Sequence, residues 1–103
     1  MILCFDIGGT AIKIAEAFSP DDIRPQGRVP TPAQDYTAFV AALRSAVQAA
    51  SQPPERLAFS IAGVVAPETG LATVANIPCL TGRRLQSDLE ADLGLPVDLA
   101  NGI

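Results

Sequence analysis

A short segment near the start of the chain places a carboxylate, two glycines and a hydroxyl between two apolar runs. These residues are Asp6, Gly8, Gly9 and Thr10. The glycines allow a tight turn with positive φ and have no Cβ to block a ligand, and their amide hydrogens can point together at an anion, as in a phosphate-binding backbone nest. Thr10 adds a hydroxyl donor, and the Asp6 carboxylate can hold a hydrated Mg²⁺ ion. The segment therefore predicts a site for a magnesium-bound phosphate, while an ordinary Gly-Gly hairpin is the alternative.

The segments that must position this turn alternate between strand and helix patterns. Apolar runs predict strands at 2–7, 11–18, 23–30, 57–62 and 97–100, and a small hairpin with strands at 63–66 and 71–74. The first strand is apolar on both faces, as a central strand would be. Pro25 and Pro30 place the third strand at an edge, because proline cannot donate to a ladder. Thr31 and Pro32 then form a linker to the first helix.

Two amphipathic segments predict helices on this sheet. The first covers residues 35–50, where apolar residues recur at spacings of three and four and Asp35 is the expected N-cap. The second covers residues 83–93, with Arg83 in its solvated start and Gly94 as the residue that ends it. With right-handed crossovers, this order of elements predicts an α/β fold with a mixed sheet in strand order 3-2-1-4-5 and both helices packed on it.

The composition fits one small globular domain, since the 103 residues are 49% apolar and 17% charged. The net charge of −4 and the absence of a basic face argue against nucleic acid as a partner. The chain has no histidine, which excludes a His-based relay and a His-ligated metal. Cys4 and Cys79 are isolated, so we interpret them as small core residues. Neither a signal peptide nor a long apolar segment for a membrane is present, and the expected location is the cytoplasm.

Four segments in order resemble motifs of the ROK family, whose name stands for repressors, open reading frames and kinases. They are residues 6–10, 60–63, 76–78 and 95–97, followed by Asn101. The family includes bacterial glucokinases and N-acetylmannosamine kinases, and the resemblance covers essentially the whole chain. It implies a ribonuclease-H-like fold, as in actin-like ATPases and sugar kinases. Residues 1–103 would form the single N-terminal domain of such a kinase.

The resemblance implies ATP and Mg²⁺ as the cofactors of the glycine turn. Asp6, Gly8, Gly9 and Thr10 would face the β- and γ-phosphates of ATP, with the metal at Asp6. Lys13 lies three residues beyond Thr10 and is placed to reach a phosphate, while a solvent-facing strand lysine is the alternative.

Three further residues match positions where the family binds its sugar substrate. Gly63 would lie under the sugar, where a Cβ would collide, or it is an ordinary turn glycine. Asn76 matches a ligand of sugar hydroxyls, since an amide both donates and accepts hydrogen bonds, and a loop brace is the alternative. Asn101 matches a second such ligand.

The residue after Asn101 departs from the family pattern. The family has an aspartate there as general base, whereas this chain has Gly102, which cannot accept a proton. We also expect the C-terminal domain, which binds adenosine in the family, to be absent from this chain. The expected function is therefore that of an N-terminal fragment of an ATP-dependent sugar kinase, with no catalytic residue and no measurable turnover by itself.

Two other functions remain open from the sequence. The chain can be a non-catalytic partner module that exposes an apolar patch, and we expect it to form a homodimer or to pair with a separate C-terminal half. A fragment of a ROK-type transcriptional regulator would need a DNA-binding segment before the glycine turn, and Met1 leaves no room for one. The motifs do not distinguish a hexose from an N-acetylhexosamine as the sugar.

Overall fold

Strands and helices follow each other along the chain in the predicted order. The computed structural model describes residues 1–101. Its elements are β1 (Ile2–Ile7), β2 (Ala11–Ser19), β3 (Asp22–Pro30), α1 (Tyr36–Ala49), β4 (Arg56–Ile61), β5 (Val64–Val65), β6 (Ala72–Thr73), a 3₁₀ turn (Pro78–Leu80), α2 (Leu85–Leu93) and β7 (Val97–Asn101). Among residues 1–101, no helix combines the length and the apolar character that a bilayer crossing requires.

The main sheet has the strand order β3-β2-β1-β4-β7, which confirms the predicted order 3-2-1-4-5. The strand at the end of the series is β7 because β5 and β6 pair only with each other in a separate small hairpin. The central strand β1 runs antiparallel to β2 and parallel to β4, and β4 runs parallel to β7. The carboxyl ends of β1, β4 and β7 therefore meet at one edge of the sheet. The strand that carries both prolines, β3, lies at the outer side as predicted.

The hydrophobic core lies between the sheet and the two helices. Leu3, Phe5 and Ile7 point toward the helices and are buried, and the ring of Phe5 stacks on the ring of Phe59 with 4.9 Å between centroids. The helices contribute a further set of buried side chains, namely Phe39, Val40, Leu43, Leu85 and Leu89. A fully buried side chain of this kind contributes about 1.5–3 kcal/mol relative to an exposed one. This burial holds the sheet and the helices together as one body.

The opposite side of the sheet, which we call the open face, has no helix on it among the described residues. The prediction that β1 is a central strand is confirmed, but Cys4 is only partly buried and Asp6 is exposed, so among the described residues only one face of β1 is fully buried. A groove of about 630 Å³ runs along this face. Its lining combines apolar side chains, such as those of Cys4, Ala15 and Ala58, with the polar side chains of Asp6, Lys13, Arg28 and Ser60.

Local signals set the helix ends, with one exception. The Asp35 side chain accepts a hydrogen bond from the Ala38 amide at 3.2 Å, which confirms it as the N-cap of α1. Gly94 ends α2 in the left-handed region at φ 72°, also as predicted. However, α2 begins at Leu85, and Arg83 is not a solvated helix residue as expected. Its guanidinium instead lies 3.5 Å from the centre of the Tyr36 ring, where a cation–π contact ties the loop before α2 to α1.

A buried carboxylate fastens the end of α1 to the sheet. Glu16 on β2 is only 2% exposed. Its two oxygens accept hydrogen bonds from the Ser51 hydroxyl at 2.6 Å and the Ser51 amide at 2.7 Å. These bonds favour the ionised form and lower the pKa of Glu16 below its usual value. The pair therefore stabilises the fold only while Glu16 is ionised.

The change Ser51→Ala should make the protein less stable at neutral pH and raise the pH at which acid unfolds it. In the original chain, the pKa of Glu16 is lower in the folded protein than its value near 4.5 in the unfolded chain. The ionised Glu16 therefore stabilises the fold fully above pH 4.5, and this stabilisation is lost as the pH falls through the lowered pKa of the folded state. The variant loses the larger cause of that shift. Urea unfolding at several pH values should show a difference in the free energy of unfolding between the original chain and the variant, large at pH 7 and smaller below pH 4.5. The control Ser45→Ala, at an exposed position of α1, should show no such difference, and a difference of equal size at every pH would contradict the assignment.

The β5–β6 hairpin packs against the chain just after β4. A Cβ built on Gly63 would lie 2.8 Å from the Thr73 carbonyl oxygen and 3.1 Å from a methyl carbon of Val74. The backbone oxygen cannot move aside as a flexible side chain could. Residue 63 must therefore be glycine if the hairpin is to hold this position.

The change Gly63→Ala should destabilise the protein by about 1–3 kcal/mol, the usual cost of forcing extra volume into a packed site. Denaturant unfolding measures this loss directly. Gly70→Ala is the matched control, because no atom lies within 4 Å of its added Cβ and only its positive φ of 73° opposes the change. If Gly63→Ala lowers the free energy of unfolding by less than Gly70→Ala does, the hairpin must move to make room for the added methyl group.

Candidate functional site

The glycine turn lies at the carboxyl end of β1, where it joins β2. The Gly8 amide donates a hydrogen bond to the Ala11 carbonyl at 2.9 Å, so Gly9 and Thr10 occupy the tip of the turn. Among residues 1–101, the amides of Gly9 and Thr10 donate to no carbonyl oxygen of the chain. Both N–H groups are thus available to an anion at the tip, beside the Thr10 hydroxyl.

The reason for glycine in this turn differs from the prediction. Neither Gly8 nor Gly9 adopts a positive φ, so the expected αR–αL nest does not form here. Space is the constraint instead. A Cβ on Gly8 would lie 3.1 Å from the Ala11 oxygen, and a Cβ on Gly9 would lie 3.0 Å from the Cβ of Asn76. The second distance shows that the turn and the loop carrying Asn76 are in direct contact.

Asp6 is the last open-face residue of β1 before the turn. It is exposed, and its partners in register are Lys13 on β2 and Ser60 on β4. Residues paired in register share a face of the sheet, so the structure places Asp6, Lys13 and Ser60 side by side. Ser60 was assigned no role of its own from the sequence, because neither its type nor its spacing distinguishes it from other strand serines.

The acidic groups near the turn fit Mg²⁺ only if the metal also binds phosphate. Among residues 1–101, no three acidic or thiol side chains converge into a metal-binding cluster. Asp6 would thus supply a single carboxylate, which suits Mg²⁺ because this ion keeps several waters and uses one or two carboxylates plus phosphate oxygens.

The loop that carries Asn76 is held in place by other residues. Ile77 and Leu80 are buried beneath it. The Thr81 hydroxyl accepts from the Val74 amide at 2.9 Å and donates to the Val74 carbonyl at 3.1 Å. The Asn76 side chain is exposed and makes no hydrogen bond to residues 1–101. The brace that sequence reasoning considered for Asn76 is therefore supplied by Thr81, and the amide of Asn76 is available to a ligand.

The other two amino acids predicted to bind the sugar lie near the same edge of the sheet. Asn101 is in register with Ile61 at the end of β4, which in turn is in register with Ile7 just before the glycine turn. Gly63 follows β4, but its missing Cβ makes room for the Thr73 carbonyl of this chain. Its contact with a sugar stays a prediction. Gly102, at the position of the family's general base, lies outside the described residues.

Sequence reasoning missed the residues that join the loop to the turn. Cys79 donates its amide to the Ala33 carbonyl at 3.0 Å, and the Arg83 Nε donates to the Cys79 carbonyl at 2.8 Å. Burial raises the pKa of the Cys79 thiol, which agrees with a packing role rather than a reactive one. Thr31, expected in a linker, contacts the glycine turn. No pattern in the sequence predicts these contacts, because they join residues that are far apart in the chain.

Curated relatives of this chain are kinases of amino sugars. The N-acetyl-D-glucosamine kinase of Citrobacter koseri is 36% identical over 100 residues, which cover 94% of this chain and 33% of the relative. An N-acetylgalactosamine kinase of a Shewanella species is 38% identical over 99 residues, covering 93% of this chain and 32% of the relative. The chain thus spans about one third of the length of the curated relatives it matches.

Solved structures of sugar kinases share the fold. The ROK hexokinase of Thermus thermophilus superposes with a TM-score of 0.80 at 26% identity, over 97% of this chain and 34% of the other. The ROK family glucokinase of Streptomyces griseus, solved with glucose and AMPPNP, gives a TM-score of 0.80 at 27% identity, over 97% of this chain and 32% of the other. The sequence profile of the ROK family matches residues 2–103. The chain therefore belongs to the ROK family.

Proposed function

We propose that this chain supplies the phosphate-binding turn and part of the sugar-binding surface of an ATP-dependent kinase for a hexose or N-acetylhexosamine. The observation that carries this proposal is the contact between Gly9 and Asn76, where an added Cβ would approach the Asn76 Cβ to 3.0 Å. It puts donors suited to phosphate beside an amide suited to sugar hydroxyls. Phosphoryl transfer needs this arrangement, because the catalyst acts mainly by holding donor and acceptor in line.

On the phosphate side, the proposed donors are the amides of Gly9 and Thr10 and the Thr10 hydroxyl. Asp6 would hold Mg²⁺ through water or directly, and the metal would neutralise charge on the β- and γ-phosphates. Lys13, which shares the face of Asp6, would add a positive charge at the same end of the sheet. ATP is the proposed phosphate donor, and the proposed location is the cytoplasm.

On the sugar side, Asn76 and Asn101 are the proposed ligands of hydroxyl groups, with Gly63 beneath the ring. The curated relatives are named for N-acetylglucosamine and N-acetylgalactosamine, and the solved structures include a hexokinase and a glucokinase. Both sugar classes thus belong in a test of this chain.

We propose that phosphorylation of the sugar needs more than the phosphate-binding and sugar-binding groups of this chain. Gly102 offers no base for the attacking hydroxyl, and a positioned base typically contributes about 10²–10⁴-fold in rate. The role proposed for this chain by itself is therefore binding without catalysis.

A thermal-shift panel should reveal two separable responses in this chain. Mg²⁺ with tripolyphosphate, and separately glucose or N-acetylglucosamine, should each raise the melting temperature by about 5 °C or more at ten times the dissociation constant. Asp6→Asn should remove the magnesium-dependent part of the first response, and Asn76→Ala should remove only the second. The controls Asp21→Asn and Gln34→Ala alter exposed residues outside the site and should leave both responses intact. A chain that responds to neither ligand would refute the proposed function.

The open face of the sheet favours a second function, that of an association module. Among residues 1–101 no helix covers this face, and apolar side chains around its groove of about 630 Å³ offer surface that a partner can bury. We propose that a second copy of the chain covers this face, or else a separate C-terminal half. This function does not require the glycine turn to bind phosphate.

The dimer should be visible by sedimentation equilibrium at high micromolar concentration. Ala58→Arg places a charge in the open-face groove and should shift the chain toward monomer, because an unpaired charge is costly to bury. Ala41→Arg, at an exposed position on α1, is the matched control and should leave the mass unchanged. If the original chain sediments as a monomer throughout this range, the self-association is excluded.

A further inference from the structure

We propose that Thr31 is a positioning residue, which aims the Gly9 amide at phosphate and holds the glycine turn at a fixed distance from the Asn76 loop. This inference rests on the proposed function, and it assigns a role to a residue outside the family motifs. Thr31 follows β3 directly and precedes the N-cap of α1. It is not one of the residues proposed to bind phosphate or sugar, and its segment contacts both the glycine turn and the loop that carries Asn76.

Two hydrogen bonds from Thr31 hold the glycine turn from both sides of its tip. The Thr31 hydroxyl donates to the Gly8 carbonyl at 2.7 Å. The Thr31 amide donates to the Thr10 carbonyl at 3.1 Å. The two acceptors lie on either side of Gly9, so one residue restrains both the Gly8–Gly9 and the Thr10–Ala11 peptide units.

Because of the geometry of the peptide bond, a restraint on the Gly8 carbonyl also sets the direction of the Gly9 N–H. The Gly8 carbonyl and the Gly9 N–H belong to the same planar trans peptide unit, and they point in opposite directions. While the Thr31 hydroxyl holds the carbonyl, the N–H is directed away from Thr31. Glycine imposes little preference of its own on this peptide. Without the hydroxyl, the plane of the peptide is free to rotate and the donor loses its direction.

The two residues after Thr31 carry the restraint to the Asn76 loop. The Pro32 carbonyl accepts from the Cys79 thiol at 3.5 Å, and the Ala33 carbonyl accepts from the Cys79 amide at 3.0 Å. Cys79 lies in the 3₁₀ turn that begins two residues after Asn76. Residues 31–33 thus contact the glycine turn at one end and the loop that carries Asn76 at the other. These contacts fix the distance between the groups proposed to bind phosphate and sugar.

The test compares Thr31→Val, which removes the hydroxyl at nearly constant volume, with Thr31→Ser, which retains it. Titration of the whole chain with Mg²⁺ and tripolyphosphate should show about fivefold weaker binding for the valine variant, the effect of one lost hydrogen bond. The serine variant should bind within about twofold of the original. Thr37→Val alters an exposed threonine of α1 and should bind as the original does.

Carbon and nitrogen NMR reports directly on the hydrogen bond to the Gly8–Gly9 peptide, while rescue of tripolyphosphate affinity by Thr31→Ser distinguishes positioning from a merely structural role. The Gly8 carbonyl and Gly9 amide resonances should shift in Thr31→Val without ligand, and Thr31→Ser should restore them. If the valine variant and the original chain bind tripolyphosphate with equal affinity, or if the Gly8 carbonyl resonance does not shift, the positioning role of Thr31 is overturned and the proposed function of the turn is not. No binding by the original chain would overturn the proposed function of the turn, and the positioning role with it.

Discussion

A Cβ at position 9 would lie 3.0 Å from the Cβ of Asn76, which is closer than most side-chain carbon atoms approach one another without a bond. The turn and the loop can therefore lie this close together because residue 9 is glycine. The sheet brings the two segments to this point, since parallel strands β1 and β4 end in register at Ile7 and Ile61. The chain that follows each strand is thus delivered to the same edge, which is where open α/β sheets generally place their ligands.

The elements and their order could be predicted because they depend on local patterns. Alternating apolar residues, the Asp35 cap and Gly94 each act within a few neighbours, and the rule of right-handed crossovers then leaves few ways to arrange the strands. The φ angles of Gly8 and Gly9 could not be predicted, since glycine is compatible both with left-handed backbone and with close packing. The Ala11 oxygen at Gly8 and the Asn76 side chain at Gly9 decide between these two reasons, and the position of Asn76 depends on the whole fold.

The contacts of Thr31 and Arg83 were beyond sequence reasoning for a related reason. A threonine before a proline and an arginine before a helix are typical of exposed connections, and nothing local distinguishes these two. Their partners are the Gly8 carbonyl, the Cys79 carbonyl and the Tyr36 ring. Carbonyl groups are present in every residue, so the sequence carries no mark of which one a side chain will meet. The candidate ligands could be inferred from residue type together with the resemblance to the family's motifs, but the bonds that hold them could not.

The prolines of β3 also limit how the chain can aggregate. An edge strand normally offers a row of unpaired N–H and C=O groups to the edge of another sheet. Pro25 and Pro30 interrupt this row because they have no N–H, and the irregular register near Gly27 bends the strand further. Strand addition along β3 would start with missing donors and a poor template. A continuous intermolecular sheet is therefore disfavoured at this edge, and the chain can expose an apolar sheet face with a smaller risk of forming fibrils.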